Sequence, residues 1–350
     1  MKIHEKYMMR CIELAKNGLG TTYPNPMVGS VIVHNDTIIG EGWHRKAGEP
    51  HAEVLAVQSV SDKSKLKEAT LYVSLEPCSH YGKTPPCADL IIEHKIPQVI
   101  IGSTDVNPQV AGRGIKRLIE AGCDVTVGVL SESCDALNKR FITFHTRKRP
   151  YIILKWAQSV DHFIAPTKTV RSADKKPVWI TNTFSRQRVH QLRAQEQAIL
   201  VGTQTVLDDH PSLTTRDWDG PSPLRVVIDR SLKVPNSASV FDTAAPTLVI
   251  TEQHKEGTTT NTFETIDFSR SVPKQICESL HAKEIQSVII EGGTRTLQSF
   301  IDENLWDEAL VFTGNCTFDE GVKAPVLSVE EASEEQIKND RLQIFKNKNS

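Results

Sequence analysis

Three residues in the first third of the chain, His51, Cys78 and Cys87, constrain it more than any other feature, because its fold must bring one imidazole and two thiols to a single point. They stand in the runs Pro50-His51-Ala52-Glu53 and Pro77-Cys78-Ser79-His80-Tyr81-Gly82-Lys83-Thr84-Pro85-Pro86-Cys87. One nitrogen and two sulfurs suit zinc and leave a tetrahedral ion with an open fourth position, the mark of a catalytic rather than a closed structural site. Water in that opening has its pKa lowered from about 15.7 to about 7, and Glu53 is placed to carry its protons. Positions i and i+2 of a helix do not face the same way, so His51 and Glu53 share a site only if His51 lies at the helix start, a place that Pro50 favours. Each cysteine follows a proline, and Cys87 opens the apolar run Cys87-Ala88-Asp89-Leu90-Ile91-Ile92, so its thiol is expected at a helix N-terminus, where thiolate is favoured. The eight residues between the thiols are polar and turn-forming and read as a loop at the rim of the site.

A chain of 350 residues is long for one domain and comfortable for two. A formal net charge of -2 and a pI near 6.6 give no basic field to attract nucleic acid, so no such partner is expected. The first residues lack the apolar core of a signal peptide, and no run approaches the roughly 18 apolar residues of a membrane span. A cytoplasmic protein without a membrane partner is expected. Seven cysteines, odd in number and scattered, fit a reducing compartment; Cys11, Cys123, Cys134, Cys277 and Cys316 read as packing residues.

Hydrophobic periodicity predicts two layered α/β series. In the first, strands are expected at 28–33, 70–74, 99–102 and 125–127, with helices at 51–60, 87–94 and 112–121 between them, which puts the ligands at helix starts and a strand exit. A helical stretch at 134–144 leads to Arg147-Lys148-Arg149-Pro150, read as a solvated linker, so the domains are placed at 1–146 and 150–350. The second series has strands at 151–157, 198–201, 224–228, 247–250 and 287–290, and helices at 184–194 and 296–303. The polar, Thr-rich segment 252–270 reads as a surface excursion.

Two further patterns carry chemistry. The strand ending at Glu291 runs through Gly292-Gly293 into a helix, a turn at which backbone amides can approach a phosphate. There is no Gly-x-Gly-x-x-Gly fingerprint, and Gly112-Arg113-Gly114 is a decoy that lacks the third glycine. The segment 205–216 packs Asp208, Asp209, a proline turn and Arg216 behind a buried strand.

The His-x-Glu followed by Pro-Cys and a second Cys is the arrangement of zinc-dependent nucleobase deaminases. Taken with Pro24-Asn25-Pro26-Met27-Val28-Gly29, Gly42-Trp43-His44 and the Gly-Lys-Thr-Pro-Pro-Cys ending at Cys87, the chain resembles over nearly its whole length the bacterial bifunctional riboflavin-biosynthesis deaminase/reductases. The resemblance implies an N-terminal cytidine-deaminase-like three-layer α/β/α domain and a C-terminal dihydrofolate-reductase-like α/β domain. The first would remove the 2-amino group of a diaminopyrimidinone carrying a ribosylamino phosphate, with zinc on His51, Cys78 and Cys87, Glu53 as proton carrier, and Asn25, His44, His80, Lys83, Asp105 and Asn107 lining the substrate pocket. The second would reduce the ribosyl group to ribityl with NADPH. The resemblance places Ala157, Trp179, Thr205, Asp209 and Gly293 with Thr294, Arg295 and Thr296 at the cofactor. Arg193, Leu213, Arg216 and Glu291 fall at the substrate, and Lys155 and Asp209 handle protons and charge at the sugar. It leaves room for a homo-oligomer. Two departures stand out: His162 replaces the glycine of Ser-Leu-Asp-Gly, at a turn where positive φ is needed, and the segment 173–177, with Pro177, replaces Thr-Gly-Glu-Ser. An intact deaminase and a reductase with an altered pocket rim are expected.

Two other classes share the zinc residues. A nucleic-acid deaminase needs a basic channel with stacking aromatics, whereas aromatics are 6% of this chain. A structural zinc module needs a fourth ligand, for which His80 is the candidate.

Overall fold

Alternating residues of the central strands enter different cores, so those strands read as unbroken apolar runs rather than alternating ones, as in sheets covered on both faces. The computed structural model describes residues 3–81, 85–107, 111–167 and 178–348, and the chain divides into two units, Met1–Lys148 and Arg149–Ser350.

The first unit runs α1 (Ile3–Ala15), β1 (Gly29–His34), β2 (Thr37–Trp43), α2 (Ala52–Ser59), β3 (Thr70–Leu75), α3 (Cys87–Glu93), β4 (Gln98–Ser103), α4 (Arg113–Glu120), β5 (Asp124–Val127), α5 (Ser131–Leu137) and α6 (Lys139–Arg147). Its sheet has the order β2-β1-β3-β4-β5, antiparallel on either side of β1 and parallel from β3 to β5. Ile32, Leu71, Val73, Val99 and Ile101 enter one core, while Val31, Val33, Tyr72 and Ile100 enter the other beneath α1. Each such aliphatic side chain contributes about 1.5–3 kcal/mol by burial. The predicted helix at 134–144 is instead two helices, parted at Asn138. The buried Asn138 amide accepts from the Met27 N–H at 2.8 Å and donates to the Met27 carbonyl at 2.9 Å, fixing the chain beside Asn25.

The second unit runs β6 (Tyr151–Gln158), β7 (Phe163–Pro166), α7 (Thr183–Gln195), β8 (Ala198–Gly202), α8 (Thr203–Asp209), β9 (Leu224–Ile228), β10 (Thr247–Thr251), β11 (Asn261–Thr265), α9 (Val272–Ala282), β12 (Ser287–Glu291), α10 (Thr294–Asp302), β13 (Glu308–Thr313), β14 (Gly321–Lys323), β15 (Glu331–Ile337) and β16 (Asp340–Lys346). Nine of these strands form one sheet, β11-β10-β9-β8-β12-β6-β13-β16-β15. It is parallel as far as β13 and closes with an antiparallel hairpin. Residue parity again divides two cores: Leu200, Val226 and Ile290 face one, Ile199, Val227 and Ile289 the other.

Two expectations are corrected. Residues 261–265, inside the supposed surface excursion, form β11, a half-exposed edge strand with no apolar run to announce it. Arg149 is not solvated linker: it is 7% exposed, and its guanidinium donates to both oxygens of Asp307 at 2.6 and 3.0 Å, so the last basic residue of the run belongs to the second core. No described helix is long and apolar enough to cross a membrane.

Candidate active sites

The helix-start condition on His51 is met: His51 is the N-cap of α2, with extended backbone at φ -71° and ψ 165°. Cys87 is the first residue of α3 behind Pro86, and Cys78 follows the exit of β3. His51 Nδ1 lies 3.6 Å from Cys78 Sγ and 3.4 Å from Cys87 Sγ, and the three ligand atoms all fall within 4.8 Å of one another. Zinc–nitrogen and zinc–sulfur bonds of about 2.1 and 2.3 Å at a tetrahedral angle require a nitrogen–sulfur separation of about 3.6 Å, so the donor set fits the metal. Cys78 also accepts the Cys87 N–H at 3.2 Å. The Cys87 thiol, together with His51 and that N–H, holds the Cys78 thiol below its ordinary value despite its burial. Among the described residues no fourth His, Cys, Asp or Glu joins the group, and His80 is exposed outside it, so His80 is not the closing ligand of a structural site.

Glu53, the second residue of α2, is 3% exposed. Burial pushes its carboxyl up to about 7, the Cys78 charge adds to this, and His51 opposes it. His44 is buried, and burial lowers its pKa. Its Nε2 lies 3.1 Å from Asn25 Nδ2 and its Nδ1 3.2 Å from the Pro50 carbonyl. With Asn25 donating and the carbonyl accepting, the ring is assigned as the neutral Nδ1–H tautomer. Its edge meets the His51 ring at 5.4 Å between centroids, so Asn25, His44 and the ligand form one row. Asp105 is buried and accepts the Asn107 N–H at 2.7 Å. Burial raises its carboxyl, the Asn107 N–H opposes this, and the Glu76 charge adds to the rise. Lys83 lies outside the described residues.

The sequence reading missed Glu76, a buried carboxylate that accepts four backbone N–H groups, two of them from Gly112 and Gly114. The signal was available: an acidic residue ends an apolar strand directly before Pro77-Cys78. The supposed decoy thus has a structural use, since a Cβ on Gly114 would stand 2.0 Å from the Pro77 carbonyl oxygen.

In the second unit the neighbouring parallel strands β6 and β12 place Lys155 opposite Glu291. Lys155 Nζ is 3.4 Å from Glu291 Oε1, and Arg193 of α7 reaches Glu291 Oε2 at 3.0 Å. Burial pushes the Glu291 carboxyl up, but Arg193 and Lys155 together pull it down to about 2, and burial lowers the Lys155 ammonium. This group opens into a cavity of about 540 Å³ also lined by Ala157, Trp179, Thr205, Asp209, Leu213 and Arg216. Thr205 Oγ1 accepts the Gly293 N–H at 3.1 Å and so pins the glycine turn to α8. A side chain at Gly292 or Gly293 would meet no protein atom closer than 3.6 Å, and Gly293 has φ -66°. The fold therefore does not demand glycine there; the missing side chains leave room at the cavity wall, as a closely approaching phosphate requires. Thr294, Arg295 and Thr296 lie in the first turn of α10 and are not among the lining residues; Arg295 is exposed. His162 keeps the expected turn by adopting φ +65° itself, with its N–H on the Ser159 carbonyl at 3.0 Å. The other departure, 173–177 with Pro177, lies outside the described residues.

Residues 1–103 match the model of the cytidine and deoxycytidylate deaminase zinc-binding region, and residues 150–335 that of the RibD C-terminal domain. The riboflavin biosynthesis protein RibD of Aquifex aeolicus is 41% identical, over 95% of this chain and 93% of its own. That of Escherichia coli is 37% identical over 88% and 86%. The crystal structure of a diaminohydroxyphosphoribosylaminopyrimidine deaminase/5-amino-6-(5-phosphoribosylamino)uracil reductase from Thermotoga maritima superposes with a TM-score of 0.89 at 37% identity, covering 98% of both chains. Acinetobacter baumannii RibD gives 0.87 at 31% identity, covering 99% of both. With the zinc cluster in one unit and the glycine-walled cavity in the other, the chain belongs to the RibD family, the bifunctional zinc-dependent deaminases and NADPH-dependent reductases of riboflavin biosynthesis.

Proposed function

We propose that the first unit deaminates a diaminopyrimidinone ribosylamino phosphate and the second reduces the ribosyl group of that product to ribityl. The observation that carries the first step is the His51, Cys78 and Cys87 group with a buried carboxyl two residues from one ligand. Zinc, when bound by these three side chains, supplies Lewis acidity and lowers the pKa of water to about 7. Glu53 takes the two protons of the attacking water in turn, passing the first to the ring nitrogen and the second to the amino group, which departs as ammonia. A carboxyl near neutrality does both, because it neither holds nor refuses the proton strongly. Asn25 and His44 supply polar atoms beside the ligand row, and Asp105 and Asn107 read the heterocycle edge. Lys83 and His80 are assigned to the substrate, Lys83 as partner of its phosphate.

NADPH, when bound in the cavity against Ala157, Trp179, Thr205, Asp209 and Gly293, supplies the hydride, and Thr294, Arg295 and Thr296 are assigned to it from the first turn of α10 beyond the cavity lining. Arg193, Leu213, Arg216 and Glu291 hold the substrate. When the sugar ring opens, its oxygen must gain a proton. Lys155 is the donor in this reading, since burial weakens its hold on the proton, and Asp209 balances charge at the sugar. Seven unpaired cysteines agree with a reducing, cytoplasmic setting. The test is incubation with the diaminopyrimidinone phosphate, with and without NADPH, followed by mass. Exchange of an amino group for oxygen without NADPH, and a further gain of two hydrogens with it, is expected; an unchanged substrate in both arms overturns the reading.

A further inference from the structure

Glu76 is 4% exposed and stands directly before Pro77-Cys78. Its Oε1 accepts the N–H of Gly114 at 2.9 Å and of Ile115 at 3.2 Å. Its Oε2 accepts the N–H of Asp105 at 3.2 Å and of Gly112 at 3.0 Å. Its own N–H donates to the Ser103 carbonyl at 2.9 Å. The carboxylate is thus met by backbone dipoles. Gly114 allows the approach, because the Pro77 carbonyl occupies the place of its Cβ. One carboxylate therefore ties the strand exit that carries Cys78 to the segments 105–107 and 112–115. Asp105, held by its own N–H, in turn holds Asn107.

We propose that Glu76 is a positioning residue of the deaminase, whose four-amide clamp sets Asp105 and Asn107 at a fixed place beside the metal ligands. The proposal rests on the reading of Asp105 as a substrate contact. The chemistry demands a carboxylate: four donors converge on it, and the amide of glutamine would aim its own N–H at two of them.

The test is deaminase kinetics of Glu76→Gln, Asp105→Asn and the double variant in the full chain, with zinc content and NADPH-dependent reduction of the deaminated product measured on the same preparations. Glu76→Gln and Asp105→Asn should each lower kcat/KM for deamination by about 10- to 100-fold, with KM carrying much of the loss. The double variant should be little worse than Asp105→Asn alone, since one acts through the other. Zinc content and the reduction rate should match the parent enzyme. Glu76→Asp, which keeps the charge, should recover part of the loss and carries the test if the glutamine variant does not fold. Losses that multiply in the double variant, loss of zinc from the variants, or a parental KM in both Glu76 variants would overturn the clamp. A parental KM in Asp105→Asn instead overturns the substrate contact itself, and is told apart because failure of the clamp alone leaves Asp105→Asn impaired.

Discussion

The zinc group sits at two helix starts and a strand exit, whereas the Lys155–Glu291–Arg193 group draws on the interior of β6, the last residue of β12 and the last turn of α7, and the two are held by different physics. His51 and Cys87 are fixed by local helix-start geometry, the N-cap of α2 and the first residue of α3. The other three residues meet only because β6 and β12 are neighbours in register and α7 packs so that Arg193 reaches Glu291. The first site concentrates its chemistry on one proton carrier held near neutrality. The second spreads its charge over three buried groups, in which each cation offsets the cost of burying the anion. A site of the first kind should lose chemistry without losing its fold when its carrier is changed, and a site of the second kind should lose both.

The largest effect expected on that contrast is from Glu53→Gln. Ammonia release should fall by about 10²- to 10⁴-fold while metal analysis still finds zinc and reduction of the deaminated product continues. Ammonia release at the parental rate would remove Glu53 from the mechanism. Glu291→Gln should abolish reduction and also destabilise the second unit by about 3–5 kcal/mol, because it leaves Lys155 and Arg193 buried without their anion; denaturant unfolding followed from Trp156 and Trp306 fluorescence measures it. Its pH dependence has a definite sign. The Glu291 carboxyl is held at about 2 against an ordinary 4.5, so its contribution is complete above pH 4.5 and is lost as pH falls toward 2; in the variant that acid-dependent loss should disappear. Asp209→Asn should slow NADPH oxidation by about tenfold and leave deamination alone; an unchanged rate would remove Asp209 from the reductase. The smallest effect is at His162, which holds φ +65° where glycine has no steric cost. His162→Gly should stabilise the second unit by about 1 kcal/mol in the same unfolding measurement.

The sequence carried the zinc residues plainly because their type and flanking prolines are local signals, and the requirement that His51 begin a helix followed from helix geometry alone. It carried the central strands for a similar reason, as both faces are buried and each strand is a continuous apolar run. Edge elements such as β11 and β2 were illegible because half-exposed strands lose that run, and the break at Asn138 depends on a bond to Met27, 111 positions away. The use of Glu76 was hidden in the same way: its partners are backbone N–H groups of another segment, which have no residue type to read.

Residue identity by itself determined which atoms can bind a soft divalent cation, which backbone turns tolerate glycine and how many layers bury the apolar runs. Only the tertiary structure decided that a carboxyl two residues past His51 is dry enough to sit near 7, and that Lys155, Arg193 and Glu291 share one charge group. Proton affinity depends on the solvent and charges around a group rather than on the group alone, and those surroundings come from chain segments that the linear order keeps apart.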